Sequence, residues 1–102
     1  KGVEFAGELG ESVHASSPGK VVYAGTGIRG YGHLIILKHD ETYLSAYAHN
    51  DRLLVKEGET VRQGQIIAKM GKSGTDRVKL HFEIRKNGKP VDPMEYLPTL
   101  GV

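Results

Sequence analysis

The sequence predicts an all-β fold, and three observations carry that expectation. Glycine occurs 14 times against four prolines, and the glycines punctuate short apolar runs, the pattern of many strands joined by tight turns. Two of those runs alternate polar and apolar residues with period two, as a strand with unlike faces requires. No window carries apolar residues at helical spacing, so there is no significant helix; Pro93–Leu97 makes at most one turn.

In chain order the expected strands are Gly2–Phe5, Ser12–Ala15, Lys20–Ala24, His33–His39, Tyr43–His49, Gln65–Met70 and Lys79–Lys86. The run Leu34 to Leu37 is continuously apolar, which marks a central strand covered on both faces. In Tyr43–His49 the apolar side is Leu44, Ala46 and Ala48, and the other side is Tyr43, Ser45, Tyr47 and His49. In Lys79–Lys86, Leu80, Phe82 and Ile84 face a core, leaving Lys79, His81, Glu83 and Arg85 together. If these two strands are neighbours, their His-bearing faces are expected to form one polar surface.

At 102 residues the chain suits a single domain, 1–102, with one modest core. A hydrophobic content of 38% with 25% charged residues argues against disorder. The formal charge of +2 is too weak to argue for nucleic acid, and no basic run or aromatic RNA motif accompanies it. The absence of cysteine excludes disulfides and thiolate metal sites. No apolar stretch is long enough to span a membrane, and the opening lacks a signal peptide, so an excised domain of a longer exported protein is expected.

Val13-His-Ala15 followed by Gly19-Lys-Val21, and later Val55 to Gly71 with turns at Gly58 and Gly64, resemble the two halves of a barrel-sandwich hybrid. That architecture of antiparallel sheets is shared by biotinyl/lipoyl carriers and by LytM-type peptidases. A carrier reading leaves the His-bearing strands unexplained, and Lys69 lacks the flanking pattern of a modified lysine. The loop Gly71-Lys-Ser-Gly74 lacks the spacing of a phosphate cradle.

Five blocks in order carry a more specific resemblance. They are Lys1–Ala6, Gly30–His39, Leu44–His49, Lys79–Arg85 and Val91-Asp-Pro93. Together they resemble the LytM (M23) metallopeptidase family over almost the whole chain. Arg29–Asp40, Tyr43–Asp51 and Leu80–Arg85 are most similar to a divergent branch, the murein hydrolase activators of the NlpD type. The family's chemistry uses a zinc ion held by three protein ligands, with an open position for water. Carried over, the ligands fall one residue before Lys1, at Glu4 where the pattern has Asp, and at His81. The assisting groups fall at Lys79, where the pattern has His, and at His49.

Lys79 decides against peptidase chemistry. An ammonium does not replace imidazole in proton transfer. Beside a divalent ion it is also repulsive, by an upper bound of about 8 kcal/mol at about 4 Å and an effective dielectric near 20. The resemblance with these replacements implies no enzyme, no bound zinc, and a vestigial set: His49 and Lys79 of the catalytic groups, Glu4 and His81 of the metal ligands. It further implies a former active-site cleft retained as a partner-binding groove, formed by Glu4, Arg29, Tyr31, His33, Tyr47, His49, Lys79, His81 and Arg85. The implied partner is a zinc-dependent peptidoglycan amidase, with peptidoglycan itself a further candidate. The implied location is the periplasm, at the outer membrane through an upstream anchor. Glu83 is expected to neutralise Arg85 as a structural pair, and His14 and His39 to be surface residues. Rival expectations are an active zinc endopeptidase and a passive cell-wall binder.

Overall fold

The computed structural model describes residues 2–96. Nine strands follow one another: β1 (Val3–Ala6), β2 (Ser12–His14), β3 (Gly19–Gly25), β4 (His33–Lys38), β5 (Tyr43–Leu53), β6 (Thr60–Val61), β7 (Ile66–Met70), β8 (Lys79–Lys86) and β9 (Lys89–Val91). A single 3-10 turn, Pro93–Glu95, closes the described chain, capped by the Asp92 carboxylate accepting from the Met94 N–H. Leu97, in the expected turn, lies outside the described residues. All pairings are antiparallel, and no α-helix occurs among the described residues.

The seven expected strands are present, with ends displaced by at most one residue except at β5, which continues to Leu53. Two short strands escaped the sequence pattern. β6 is too short to show a period; β9 follows the dipeptide Asn87-Gly88, both at positive φ, the signature of a tight hairpin. The β4–β5 turn is built on Asp40, whose Oδ1 accepts the N–H groups of Thr42 and Tyr43 at 2.8 Å each.

The main path runs β1-β8-β5-β4-β3-β6, while β2 pairs with β7 and β7 with the far end of β5. The two hybrid halves interlock: Gly19 registers with Val61, and the Ala15 N–H donates to the Gln65 carbonyl at 2.9 Å. On the inner face of this nine-stranded sheet Val13, Val21, Ile35, Leu37, Tyr47, Ile67, Phe82 and Ile84 form the main core. A second, smaller cluster, Leu34, Ala46 and Ala48 with Tyr23, Tyr31 and Ile36, lies on the opposite face. β4 is thus apolar on both sides because both sides are covered.

β5 corrects the expected faces. Its register places Leu44 beside Arg85, Ala46 beside Glu83 and Ala48 beside His81. The alanine side of β5, and not its Tyr/Ser side, therefore shares a face with the charged side chains of β8. Tyr43, Ser45 and Tyr47 point the other way, and Tyr47 is 1% exposed. Its hydroxyl accepts the Ser16 N–H at 2.9 Å and is bonded to the Ser16 and Ser45 hydroxyls at 2.8 Å. A tyrosine can be buried when its hydroxyl is satisfied in this way.

Candidate functional site: a degenerate cleft

The site is the outer face of β3, β4, β5, β8 and β1. Its floor is apolar where β4 and β5 run, and its wall is charged where β8 and β1 run. A groove of about 360 Å³ opens there, floored by Leu34, Ile36, Leu44 and Ala46 and walled by Tyr31, Glu83 and Arg85.

Glu83 organises the wall. It is buried at 4% exposure, and its two oxygens take bonds from three side chains. Oε2 accepts the Tyr31 hydroxyl at 2.9 Å and pairs with His81 Nε2 at 2.8 Å. Oε1 accepts Arg85 Nε and Nη2 at 3.2 and 3.1 Å. Burial alone would raise the Glu83 carboxyl pKa, but the bonds from His81, Tyr31 and Arg85 outweigh it and hold the carboxyl below its ordinary value. Burial and the neighbouring carboxylate push the Tyr31 hydroxyl up.

One strand over, Glu4 sits opposite His81 in register. Lys79 Nζ donates to Glu4 Oε1 at 3.0 Å, and His81 Nδ1 lies 3.4 Å from Glu4 Oε2. The Lys79 bond lowers the Glu4 carboxyl pKa. A continuous chain of close polar contacts thus runs Lys79, Glu4, His81, Glu83, Arg85.

His49 reaches this face by a different route. Its parity would direct it into the core with Tyr47. At this point β5 leaves β8 for β7, and His49 adopts a left-handed backbone, φ 69°. The ring then lies 6.0 Å from that of His81, centroid to centroid, and Nδ1 donates to the Ser73 carbonyl at 2.7 Å.

The structure brings together Glu4, Tyr31, His49, Lys79, His81 and Arg85. It does not bring in Tyr47, which lies in the core, nor Arg29, which is exposed and makes no hydrogen bond or ion pair among the described residues. His33 takes part through its backbone: its N–H donates to Ser73 Oγ at 3.0 Å and its carbonyl accepts from Asn50 Nδ2 at 3.0 Å. Sequence reasoning paired Glu83 with Arg85 and missed Tyr31 and His81 as its other partners. The period-two spacing of His81, Glu83 and Arg85 held the signal for His81. His14 is exposed, bonded to the Gly64 carbonyl at 2.9 Å. His39 is only half-buried and bridges the Pro18 carbonyl and the Ser45 hydroxyl, at 2.7 Å each.

These side chains do not fit a zinc ion. The carboxylate at the ligand position, Glu4, is paired with the Lys79 ammonium, whose charge opposes a divalent ion, although His81 keeps Nδ1 buried and without a hydrogen-bond partner. Among the described residues no group of three or more His, Cys, Asp or Glu side chains is arranged to hold a metal.

A sheet of this topology, with this cleft on its outer face, agrees with the family comparison. The chain belongs to peptidase family M23, whose pattern it matches over residues 1–93. It is 67% identical over 98 residues to the Lipoprotein NlpD/LppB homolog of Pseudomonas aeruginosa, a match covering 96% of this chain and 33% of that protein. It is 56% identical over 98 residues to Murein hydrolase activator NlpD of Escherichia coli K12, covering 96% of this chain and 26% of that one. The chain therefore spans a third or less of the length of these relatives. Among solved structures it is similar to the antimicrobial peptidase lysostaphin from Staphylococcus simulans, with TM-score 0.90 and 34% identity over 98% of this chain and 44% of that one.

Proposed function

We propose that this chain is a non-catalytic activating module: it binds a zinc-dependent N-acetylmuramoyl-L-alanine amidase through the degenerate cleft and switches it on during daughter-cell separation. One observation carries the reading. Lys79 is seated on Glu4, so the position of an assisting imidazole and the position of a ligand carboxylate have become an ion pair. Such a cleft binds without cutting. The relatives whose names contain "murein hydrolase activator" and "lipoprotein" support the reading, as they do a periplasmic location at the outer membrane through an upstream part. The chain itself holds no zinc in this reading.

The groove has the anatomy of a docking surface, with an apolar floor, Tyr and Arg on its wall and a charged rim. Activation follows when the groove prefers the amidase's open conformation over its closed one. A hundredfold activation needs about 2.7 kcal/mol of that preference, well within one modest interface.

The test combines metal analysis with dye release from labelled peptidoglycan, using the chain alone, the amidase alone and both together. We expect no stoichiometric zinc, no hydrolysis by the chain, and stimulated release by the pair. Lys79→Glu and Arg85→Gln should each weaken activation about tenfold, the loss typical of an interface anchor, with the circular dichroism spectrum unchanged. Arg85→Gln is preferred to charge reversal because Glu83 lies buried beneath it. Bound zinc with unaided cleavage of peptide crosslinks would make the chain an endopeptidase; retention on sacculi without stimulation would make it a passive wall binder.

A further inference from the structure

Ser73 lies outside every motif that carries the family resemblance, yet three hydrogen bonds meet on it. Its hydroxyl oxygen accepts the His33 N–H at 3.0 Å, and its O–H donates to the Asn50 carbonyl. Its own carbonyl accepts His49 Nδ1–H at 2.7 Å. The loop that holds Ser73 is pressed against the loop before β4. Gly32, at φ +63°, has no room for a side chain, since a Cβ there would collide with the Ser73 carbonyl. A Cβ on Gly74 would meet the Gly32 nitrogen at 2.7 Å.

These two loops hold His49 from both ends. The Tyr31 carbonyl accepts the His49 N–H at 2.9 Å, and the Ser73 carbonyl holds the ring. A non-glycine residue in the left-handed region persists only where its surroundings over-determine it, and such strain gathers at functional sites.

The bond to a carbonyl also fixes the ring chemically. A carbonyl only accepts, so Nδ1 carries the hydrogen and the lone pair of the neutral ring sits on Nε2. His49 Nε2 makes no hydrogen bond among the described residues, whereas His81 Nε2 is taken by Glu83. Beside it, Glu4 Oε1 and Glu83 are engaged by Lys79 and Arg85, which can only donate, and the unpartnered Nδ1 of His81 is buried.

The geometry points to Ser73 as a positioning residue that holds His49 in the Nδ1–H form, so that Nε2 accepts a hydrogen bond from a peptide-type N–H of the partner in the groove. The partner half of this inference rests on the activator reading; the state of the ring does not.

Long-range proton–nitrogen NMR at pH 8 reads the ring directly. The wild-type chain should show His49 with its hydrogen on Nδ1, against the Nε2–H form that predominates for a free imidazole in water. Ser73→Ala removes both hydroxyl bonds and should shift His49 towards the Nε2–H form. It should also weaken amidase binding about five- to tenfold, the loss of one hydrogen bond. Ser73→Thr, which keeps the hydroxyl, should restore both. Finding Nε2–H in the wild type, or an unchanged ring and affinity in Ser73→Ala, overturns the inference. A wild-type chain that shows the Nδ1–H form yet binds no amidase overturns the acceptor role together with the activator reading, which separates that failure from a wrong tautomer.

Discussion

At Glu83 four side-chain hydrogen bonds converge on one buried carboxylate. A carboxyl held below its ordinary pKa stabilises the fold fully above the unfolded value, about 4.3, and loses that contribution as pH falls through the lower folded value. Thermal melting should therefore decline below about pH 4, and Glu83→Gln should flatten that decline. At neutral pH the same substitution should cost about 1–3 kcal/mol in urea unfolding, because Arg85 and Tyr31 lose an ionised acceptor. A melting profile identical for the two proteins from pH 3 to 7 would refute this account. The pairing of Glu83 with Arg85 was legible from period-two spacing alone. The His81 contact lay within the same spacing; that of Tyr31 was not legible, since Tyr31 stands 52 residues away and only the packing of its loop onto β8 brings it near.

Among the elements, β5 shows where pattern reading stops. Period two placed Tyr43, Ser45, Tyr47 and His49 on one face, and through Tyr47 the structure follows that rule. The rule fails at His49, whose left-handed backbone sits at the change of partner from β8 to β7. Which face was the buried one could not be read from residue type, since Ser45 and Tyr47 look polar and Ala46 and Ala48 look apolar. Both sets are covered, and the tyrosine hydroxyl is satisfied by Ser16 and Ser45. Tyr47→Phe keeps the ring but leaves the buried Ser16 N–H without its acceptor, so a loss of about 1–3 kcal/mol is expected. Equilibrium urea unfolding measures it; an unchanged m-value would place the effect in the native state. A loss under about 0.5 kcal/mol would show that Ser16 finds another partner.

For the whole molecule, the all-β class and its strand order were legible because glycine turns and apolar runs are local signals. The hybrid halves were also legible, since Ala15, Gly19 and Val61 make the contacts that the repeated pattern suggests. The groove was displaced in the reading, because its floor comes from the second cluster on the outside of β4 and β5. Strands covered on both sides should open last. In native-state hydrogen exchange the amides of Leu34–Leu37 and Ser45–Ala48 should be the slowest, and those of β1, on the sheet edge, markedly faster. Equal protection across β1 and β4 would contradict this ranking.

The change of partner within β5 has a mechanical corollary. One continuous ribbon of backbone is hydrogen-bonded to β4 and β8 along its first half and to β7 along its second. A displacement imposed where β7 ends is thus transmitted along a single covalent beam to the strand beneath the cleft, with no loop between to absorb it.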